Sequence, residues 1–416
     1  MLRRVLSNSA VYFLGSALAS GISFVVLPLY TRLLSPTDFG VLGLISATAG
    51  ILDTTVGLNP QLYFNVEYKR ATEKQLQAAT AAAFVVPMIL AGFAFVLLEV
   101  LRVPLGIDAI PCWAIAGIAI LPVFGNTKAV YLTVMRMREQ PLKVVAVQLS
   151  SVVVEHGVSL VLLLGAGLAW QGRIAGTFCA ALIVGLTIAA VLWRLRLLRF
   201  RLPLGILKQY VSFLVPLIPH ALGYWAINAQ DRFFISRMCG IESVGYYSVA
   251  YRLCSVFPLV TAAVLSAFSP YIYKKTLEPD DKRGIVRFTY LYLGAVTILL
   301  LLFIFLVIPI VPWLLGESYA ASVDYMPWIA GAYALGAVRD MSVGYLFRTN
   351  RNRMIGAITL LAAVLNAVLN WLLIHAMGAR GAAVATTVSF GVIALVTTWY
   401  GLRAVPMPWL SAFKKR

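Results

Sequence analysis

Apolar segments of about twenty residues recur along the whole chain, and they limit the possible folds more than any other feature. A helix needs about twenty predominantly apolar residues to cross roughly 30 Å of hydrocarbon. The chain has 416 residues, 61% of them hydrophobic and 12% charged. No polar linker of the kind that joins soluble domains separates the apolar segments. We therefore predict an all-α integral membrane protein. Its twelve predicted spans cover residues 9–34, 38–60, 78–100, 109–134, 144–166, 173–193, 210–238, 242–270, 286–313, 324–347, 354–375 and 381–403.

Basic residues are distributed unevenly between the alternate loops of this topology. Twenty-five lie on the side that includes both termini, and five lie on the other side. Cytoplasmic loops carry the excess of lysine and arginine in membrane proteins, so we predict that both termini are cytoplasmic. The net charge of +18 is spread over these short loops and forms no single solvated patch. Nucleic acid is therefore not expected as a partner.

Nothing in the sequence indicates a metal, a cofactor or a catalytic centre. The four cysteines, at positions 112, 179, 239 and 254, lie in or beside apolar segments without CxxC or Cys/His spacing. Small packing residues are the favoured interpretation. The absence of a G-x-x-x-x-G-K-[ST] phosphate loop excludes an ATP-binding cassette within this chain. The predicted outer connections are only a few residues long, which leaves little room for an enzyme active site.

Two hairpins of similar sequence indicate an internal repeat. A shift of 205 residues places the segment 31–46 over 236–251, and a shift of 214 places Asn126 over Asp340. Six spans per repeat give both halves the same orientation, so we expect a pseudo-two-fold axis along the membrane normal with a substrate path between the halves. The predicted lobes are residues 1–200, with spans one to six, and residues 201–416, with spans seven to twelve.

Charged side chains inside the predicted spans form the candidate functional site. Such a residue near the bilayer centre costs roughly 2.5–3.5 kcal/mol on insertion scales, so its retention requires a partner, a wet cavity or a function. His220, Tyr224, Asn228 and Arg232 follow at four-residue spacing and predict a polar stripe on the seventh span. The residues predicted to line a cationic, substrate-binding cavity are Arg252, Arg232, Arg339, Lys128 and Asn228. Those predicted to serve in coupling or charge pairing are Asp53, Glu155, Asp231, Asp340 and His156.

This set of charges favours an anionic or phosphate-bearing cargo. Arginine binds phosphate oxygens in bidentate fashion and keeps its charge in a low-dielectric cavity. Glu155 and His156 are candidates for titration during a transport cycle. The alternative is that the charges only neutralise one another, with Asp53 or Asp340 pairing with an arginine. The residue types alone leave both interpretations open.

Two features of the region between the lobes carry further expectations. The connection between Arg194 and Gln209 is basic and mildly amphipathic, so we expect it to lie along the cytoplasmic leaflet. Pro216 and Pro219 predict a bend in the seventh span, because proline removes a helical hydrogen bond. The bend is either a static kink or part of a moving helix.

The two repeated hairpins resemble those of the polysaccharide flippases. The first hairpin, from Thr31, has the sequence T-R-L-L-S-P-T-D-F-G-V-L-G-L. The second, from Asp231, has the sequence D-R-F-F-I-S-R-M-C-G-I-E-S-V-G-Y-Y-S-V-A-Y-R. Both are similar to Wzx-type members of the multidrug/oligosaccharidyl-lipid/polysaccharide exporter (MOP) superfamily. The resemblance implies twelve helices in a V-shaped, MATE-like pair of six-helix lobes that open alternately to either side.

The resemblance also implies a cargo, a location and partners. The expected cargo is an undecaprenyl-diphosphate-linked oligosaccharide, moved to the outer leaflet of a bacterial inner membrane for O-antigen or exopolysaccharide assembly. Membrane lipids and a polysaccharide polymerase with its chain-length machinery are the other expected partners. One alternative is a multidrug exporter of the same superfamily, whose cavity is usually acidic. A second is an integral-membrane glycosyl polymerase, which generally needs larger outer loops.

Overall fold

The fold is helical throughout the part of the chain that the structure describes. The structure is a computed structural model, and it describes residues 2–200, 202–272, 278–349 and 351–409, none of which lies in a β-strand. The α-helices of these residues are α1 (Leu2–Leu33), α2 (Pro36–Thr55), α3 (Gln61–Glu67), α4 (Glu73–Val100), α5 (Cys112–Met137), α6 (Pro141–Gly165), α7 (Trp170–Arg194), α8 (Leu204–Leu214), α9 (Ile218–Ala229), α10 (Asp231–Cys239), α11 (Ile241–Cys254), α12 (Val256–Ile272), α13 (Pro279–Leu302), α14 (Ile308–Leu315), α15 (Met326–Arg348), α16 (Asn352–Met377) and α17 (Ala379–Ala404).

Ten helical stretches of the described residues are long and apolar enough to cross a membrane. The all-helical, multi-pass character predicted from the sequence is therefore confirmed. The count differs from twelve because predicted spans two and ten, which correspond to α2 and α15, are not among the ten. The charges of Asp38 and Asp53 in α2, and of Arg339 and Asp340 in α15, lower the mean hydropathy of these helices.

The two predicted hairpins are short helix–turn–helix connections that begin their second helix differently. Ahead of α2, the Ser35 hydroxyl accepts a hydrogen bond from the Asp38 amide at 3.2 Å, and the Asp38 carboxylate accepts one from the Ser35 amide at 2.9 Å. This reciprocal pair is a capping box. Ahead of α11, the turn uses Gly240 with a φ of 89°, a conformation that glycine adopts without steric cost.

The chain divides into two compact units, Met1–Leu222 and Gly223–Arg416. The lobe boundary predicted after residue 200 lies inside the first unit, because α8 packs against α3 and α4. Tyr210 and Leu214 of α8 are each 1% exposed, and the Tyr210 ring meets the Tyr63 ring edge-on with centroids 5.2 Å apart. The last residues of the predicted surface-lying connection, 204–209, form the start of α8, which packs through Tyr210 and Leu214 beyond them.

In the first unit, α5 packs against α2, α3, α4, α6 and α7. Its buried Asn126 donates hydrogen bonds to the carbonyls of Gly57, at 2.8 Å, and Ala83, at 3.1 Å. The first of these carbonyls lies just after α2, where Leu58 and Asn59 have positive φ angles of 59° and 49°. Asn126 thus supplies a donor where α2 has stopped and the backbone is no longer helical.

In the second unit, α15 packs along α17 and also contacts α11, α12 and α13.

The seventh predicted span is interrupted at two places. A short 3₁₀ segment, Val215–Leu217, separates α8 from α9 at Pro216, and a second break separates α9 from α10 at Gln230. The first of these interruptions includes Pro216, one of the two prolines from which a bend was predicted.

Candidate functional site

A cavity of about 330 Å³ inside the first unit brings together three of the predicted charged residues. Asp53 of α2, Lys128 of α5 and Glu155 of α6 line it, with Ser151 and Thr177 beside them. The three charged residues come from three helices and are far apart in sequence. The cavity holds two carboxylates and one ammonium group, so it is mixed in charge rather than purely cationic.

Lys128 and Asp53 face this cavity without a direct partner. Within the described residues, neither side chain forms an ion pair or a hydrogen bond. Lys128 is half-buried, and it interacts electrostatically with Glu155 and Asp53 at longer range. Its ammonium group has three hydrogen-bond donors and no acceptor. All three donors are therefore available for water or for a ligand in the cavity.

Glu155, in contrast, is neutralised by a basic residue of the neighbouring helix. Its carboxylate lies 2.7 Å from the Arg173 guanidinium, and both side chains are mostly buried. The Thr177 hydroxyl accepts a hydrogen bond from Arg173 at 3.0 Å and lies 3.3 Å from the same carboxylate. The close approach of α6 and α7 depends on Gly176, where a Cβ would stand 2.8 Å from the Glu155 carbonyl oxygen. Glu155 is thus a fixed negative charge with its own partner.

His156 joins α6 to α1. Its ring nitrogens lie 2.9 Å from the Tyr30 hydroxyl and 3.1 Å from the Ser23 hydroxyl, and the side chain is 6% exposed. The Arg173 guanidinium lies over the Tyr30 ring, 5.2 Å from its centroid. This contact links the His156 hydrogen bonds to the Glu155–Arg173 ion pair. His156 is thus a hydrogen-bonded interior residue beside the cavity that Asp53, Lys128 and Glu155 line.

In the second unit, Asp231 and Arg232 pair with each other. The Asp231 carboxylate is fully buried and lies 2.9 Å from Nη1 of Arg232, which also donates to the Asn228 carbonyl at 2.7 Å. The Tyr247 hydroxyl donates to the other carboxylate oxygen of Asp231. The guanidinium lies over the Tyr251 ring at 4.4 Å from its centroid, a favourable cation–π distance. This cluster holds α9, α10 and α11 together.

The predicted polar stripe of the seventh span is divided by the break at Gln230. Tyr224 and Asn228 belong to α9, whereas Arg232 belongs to α10. The Asn228 side-chain amide donates to the Tyr224 carbonyl at 2.8 Å, one turn earlier in its own helix. Asn228 therefore contributes its carbonyl to Arg232 while its side chain bonds within α9.

The remaining predicted bases of the second unit lie on α11 and α15. Arg339 pairs with the adjacent Asp340 at 2.8 Å, with side chains 12% and 48% exposed. Arg252 is exposed near the end of α11, and its carbonyl accepts a hydrogen bond from the Ser255 hydroxyl at 2.6 Å. Pairing between charges, the alternative left open by the sequence, thus applies to Asp340 and Asp231. It does not apply to Asp53.

A row of amides, in which Asn366 and Asn370 are buried and Gln230 is half-buried, was missed from the sequence. Gln230 donates to the Asn366 side-chain oxygen at 2.9 Å, Asn370 donates to the same oxygen at 3.0 Å, and Asn366 donates to Ser389 at 3.2 Å. The row joins the start of α10 to α16 and α17, as polar side chains between membrane helices do. The four-residue spacing of Asn366 and Asn370 could have revealed it, because that spacing places both on one helical face.

Comparison with known proteins gives one family and several similar folds. A family model described as "Polysaccharide biosynthesis protein" matches residues 5–275, which is more than half of the chain. No curated protein matches the sequence. An inward-facing multidrug resistance MATE family transporter of the MOP superfamily has a TM-score of 0.70 and 14% identity, with 95% of this chain and 94% of that chain covered.

Two further solved structures are similar over nearly the whole chain. Lipid II flippase MurJ, in an inward closed conformation, has a TM-score of 0.70 and 11% identity, with 95% of this chain and 87% of that chain covered. A mutant of the Vibrio cholerae MATE transporter VcmN has a TM-score of 0.56 and 14% identity, with 97% of each chain covered. At these identities the similarity shows a shared fold.

Proposed function

The chain belongs to the polysaccharide biosynthesis protein family, and we propose that it is a flippase for undecaprenyl-diphosphate-linked oligosaccharides. It moves the repeat units from the cytoplasmic to the outer leaflet of a bacterial inner membrane by alternating access, for O-antigen or exopolysaccharide assembly. The fold shared with a lipid II flippase and with MATE transporters supports a transport role of the MOP type. A polysaccharide polymerase with its chain-length machinery is the proposed partner on the outer side.

The observation that carries this proposal is the half-buried Lys128, which has no ion pair within the described residues. A charge kept in a membrane-spanning helix is costly, and no neighbouring carboxylate neutralises this one directly. An ammonium group is a strong partner for phosphate oxygens. A cavity of about 330 Å³ suits a phosphate headgroup better than a whole oligosaccharide.

The other charged residues divide into two proposed roles. Arg252, whose side chain is exposed on α11, is proposed to contact the diphosphate in the second unit. Asp53 shares the cavity with Lys128 and is proposed to exchange a proton or cation when the cargo leaves. Arg232 and Arg339 pair with adjacent aspartates, so their proposed contribution is to hold the helices that carry the site.

Complementation of a deletion strain tests this proposal. We expect Arg252→Ala and Lys128→Ala to abolish surface polysaccharide while the protein level in the membrane stays normal. Lys143→Ala, which removes an exposed base at the start of α6, is the matched control and should complement fully. Normal polysaccharide in the Arg252→Ala strain would remove that residue from the binding site, and normal polysaccharide in both strains would remove the cationic site.

One observation favours a second candidate, a cation-coupled multidrug exporter of the same superfamily. Asp53 and Glu155 supply two carboxylates to the cavity of the first unit, and such groups bind cationic compounds. The two functions differ in phenotype. A multidrug exporter predicts that the deletion strain retains ethidium and keeps its surface polysaccharide, whereas a flippase predicts normal ethidium export and loss of the polysaccharide.

A further inference from the structure

Residues 195–200, which follow α7, are fixed against the rest of the first unit by both side chains and backbone. Leu197 and Leu198 are 5% and 3% exposed, and their amides both donate to the Leu192 carbonyl, at 2.9 and 3.2 Å. The Gln77 side chain of α4 donates to the Arg196 carbonyl at 2.7 Å. These contacts hold the loop in one conformation, so the directions of its remaining side chains are set by the fold.

Arg196 occupies a backbone conformation that is unfavourable for an arginine. Its φ is 58°, in the left-handed region, two residues beyond the end of α7. Helices commonly end with one residue in this conformation, and that residue is usually glycine because a Cβ costs free energy there. Glycine would therefore serve the fold better at this position. The backbone conformation thus does not require the arginine side chain.

Most of the side chains exposed along residues 193–200 are basic or aromatic, and the exception is Leu195, which is 40% exposed. Arg194, Arg196 and Arg199 are exposed, and none of them has a side-chain hydrogen bond or ion pair within the described residues. Trp193 and Phe200 are 58% and 56% exposed, with ring centroids 6.2 Å apart. The sequence from 190 to 209 contains no acidic residue that could neutralise these arginines.

We infer that this basic–aromatic surface, formed by Trp193, Arg194, Arg196, Arg199 and Phe200, binds the phosphate headgroups of anionic membrane lipids. Exposed tryptophan at the end of a membrane span typically lies at headgroup depth. The guanidinium groups next to it then lie at the depth of the lipid phosphates, which they bind well. The surface lies on the side that the charge distribution assigns to the cytoplasm, where juxtamembrane basic residues attract anionic lipids.

This role differs from that of the proposed cargo site. The loop lies outside the cavity that Asp53 and Lys128 line. It is part of the same compact unit, so lipids bound here would anchor the first unit at the membrane surface. Lipid binding at this surface does not depend on which cargo the protein carries.

Lipid titration of the detergent-purified, full-length protein tests the inference, with bound lipids counted by native mass spectrometry. Phosphatidylglycerol and phosphatidylcholine are the two probes. We expect the affinity for phosphatidylglycerol to fall about fivefold for each arginine removed, in Arg196→Gly and in the double variant Arg196→Gln/Arg199→Gln. Binding of phosphatidylcholine should not change. The thermal stability of Arg196→Gly should be equal to or higher than that of the parent protein.

The matched control is the double variant Arg136→Gln/Lys143→Gln, which makes the same change in net charge at another connection of the same unit. Its affinity for phosphatidylglycerol should stay within about twofold of the parent value, because these residues lie outside the proposed surface. Equal losses in both double variants would show that only net charge matters and would overturn the inference. Equal losses for both lipids, or no loss in Arg196→Gln/Arg199→Gln, would overturn it as well.

Discussion

In the first unit, Asp53, Lys128 and Glu155 come from three helices and face one cavity, whereas in the second unit Asp231 and Arg232 are adjacent in sequence and bind each other. Both clusters combine acidic and basic side chains, but their surroundings differ. The second cluster is sealed by tyrosine rings and has its carboxylate fully buried. In the first cluster, Lys128 and Asp53 face the cavity. The charges of the second cluster are therefore paired and sealed, whereas Asp53 and Lys128 of the first line a cavity.

The repeat-related positions Asn126 and Asp340 differ in a similar way. Asn126 is 3% exposed and uses its amide to bind the carbonyls of Gly57 and Ala83. Asp340 has a half-exposed side chain and pairs only with the neighbouring Arg339 among the described residues. In the first unit, this position maintains the break after α2, close to Asp53. The two positions that the predicted repeat aligns are thus both polar but differ in burial and in bonding partners.

Removing one partner of the sealed pair should produce the largest effect on stability. Arg232→Leu leaves the Asp231 carboxylate buried without its cation, which typically costs about 3–5 kcal/mol. We expect little folded protein in the membrane, measured by fluorescence-detected size exclusion and by thermal unfolding. The double variant Asp231→Asn/Arg232→Leu should recover most of the loss. A stable Arg232→Leu protein with no transport would instead place Arg232 in the cargo site.

Replacing the buried amide of Asn126 should have an intermediate effect on stability. Its comparison with a change at Asp340 tests whether the two aligned positions differ in role. Asn126→Ala leaves two buried carbonyls without their donor, at about 1–3 kcal/mol for such a loss. Asp340→Asn keeps a polar group at a half-exposed site and should change stability far less. Thermal unfolding of the two purified variants gives the comparison. Equal losses would mean that the two positions play the same structural role.

Breaking the Glu155–Arg173 ion pair beside the cavity should lower the free energy of unfolding by less. Glu155→Gln removes the negative partner of Arg173, but both side chains are partly exposed, at 29% and 18%, and Thr177 can still bond to the arginine. We expect a loss of about 1 kcal/mol or less in the free energy of unfolding. A loss as large as that of Arg232→Leu would show that this pair is as dry as the one in the second unit.

The smallest effect on stability is expected at Lys128, a residue proposed to be essential for transport. Lys128→Gln removes no ion pair, so the free energy of unfolding should stay within about 0.5 kcal/mol of the parent value. Surface polysaccharide should nevertheless be lost. A variant that unfolds would show instead that the long-range interaction of Lys128 with Asp53 and Glu155 is structural.

Parts of this arrangement are visible in the sequence, and other parts depend on tertiary structure. Apolar length reveals the multi-pass helical fold, and Pro216 marks an interruption of the seventh span. The adjacency of Arg339 and Asp340 makes their pairing easy to foresee. The cavity, in contrast, requires Asp53, Lys128 and Glu155 to meet from different helices, and no local periodicity encodes that meeting. The boundary at Leu222 likewise depends on how Tyr210 packs against Tyr63.

The most direct test of the proposed transport function is the location of the lipid-linked oligosaccharide in a deletion strain. The oligosaccharide is labelled enzymatically from the outer side of intact spheroplasts and, separately, after lysis. We predict that the strain accumulates undecaprenyl-diphosphate-linked oligosaccharide that is labelled only after lysis, and that the parent gene, but not Lys128→Gln, restores labelling from outside. Normal outer labelling in the deletion strain would contradict the proposed function.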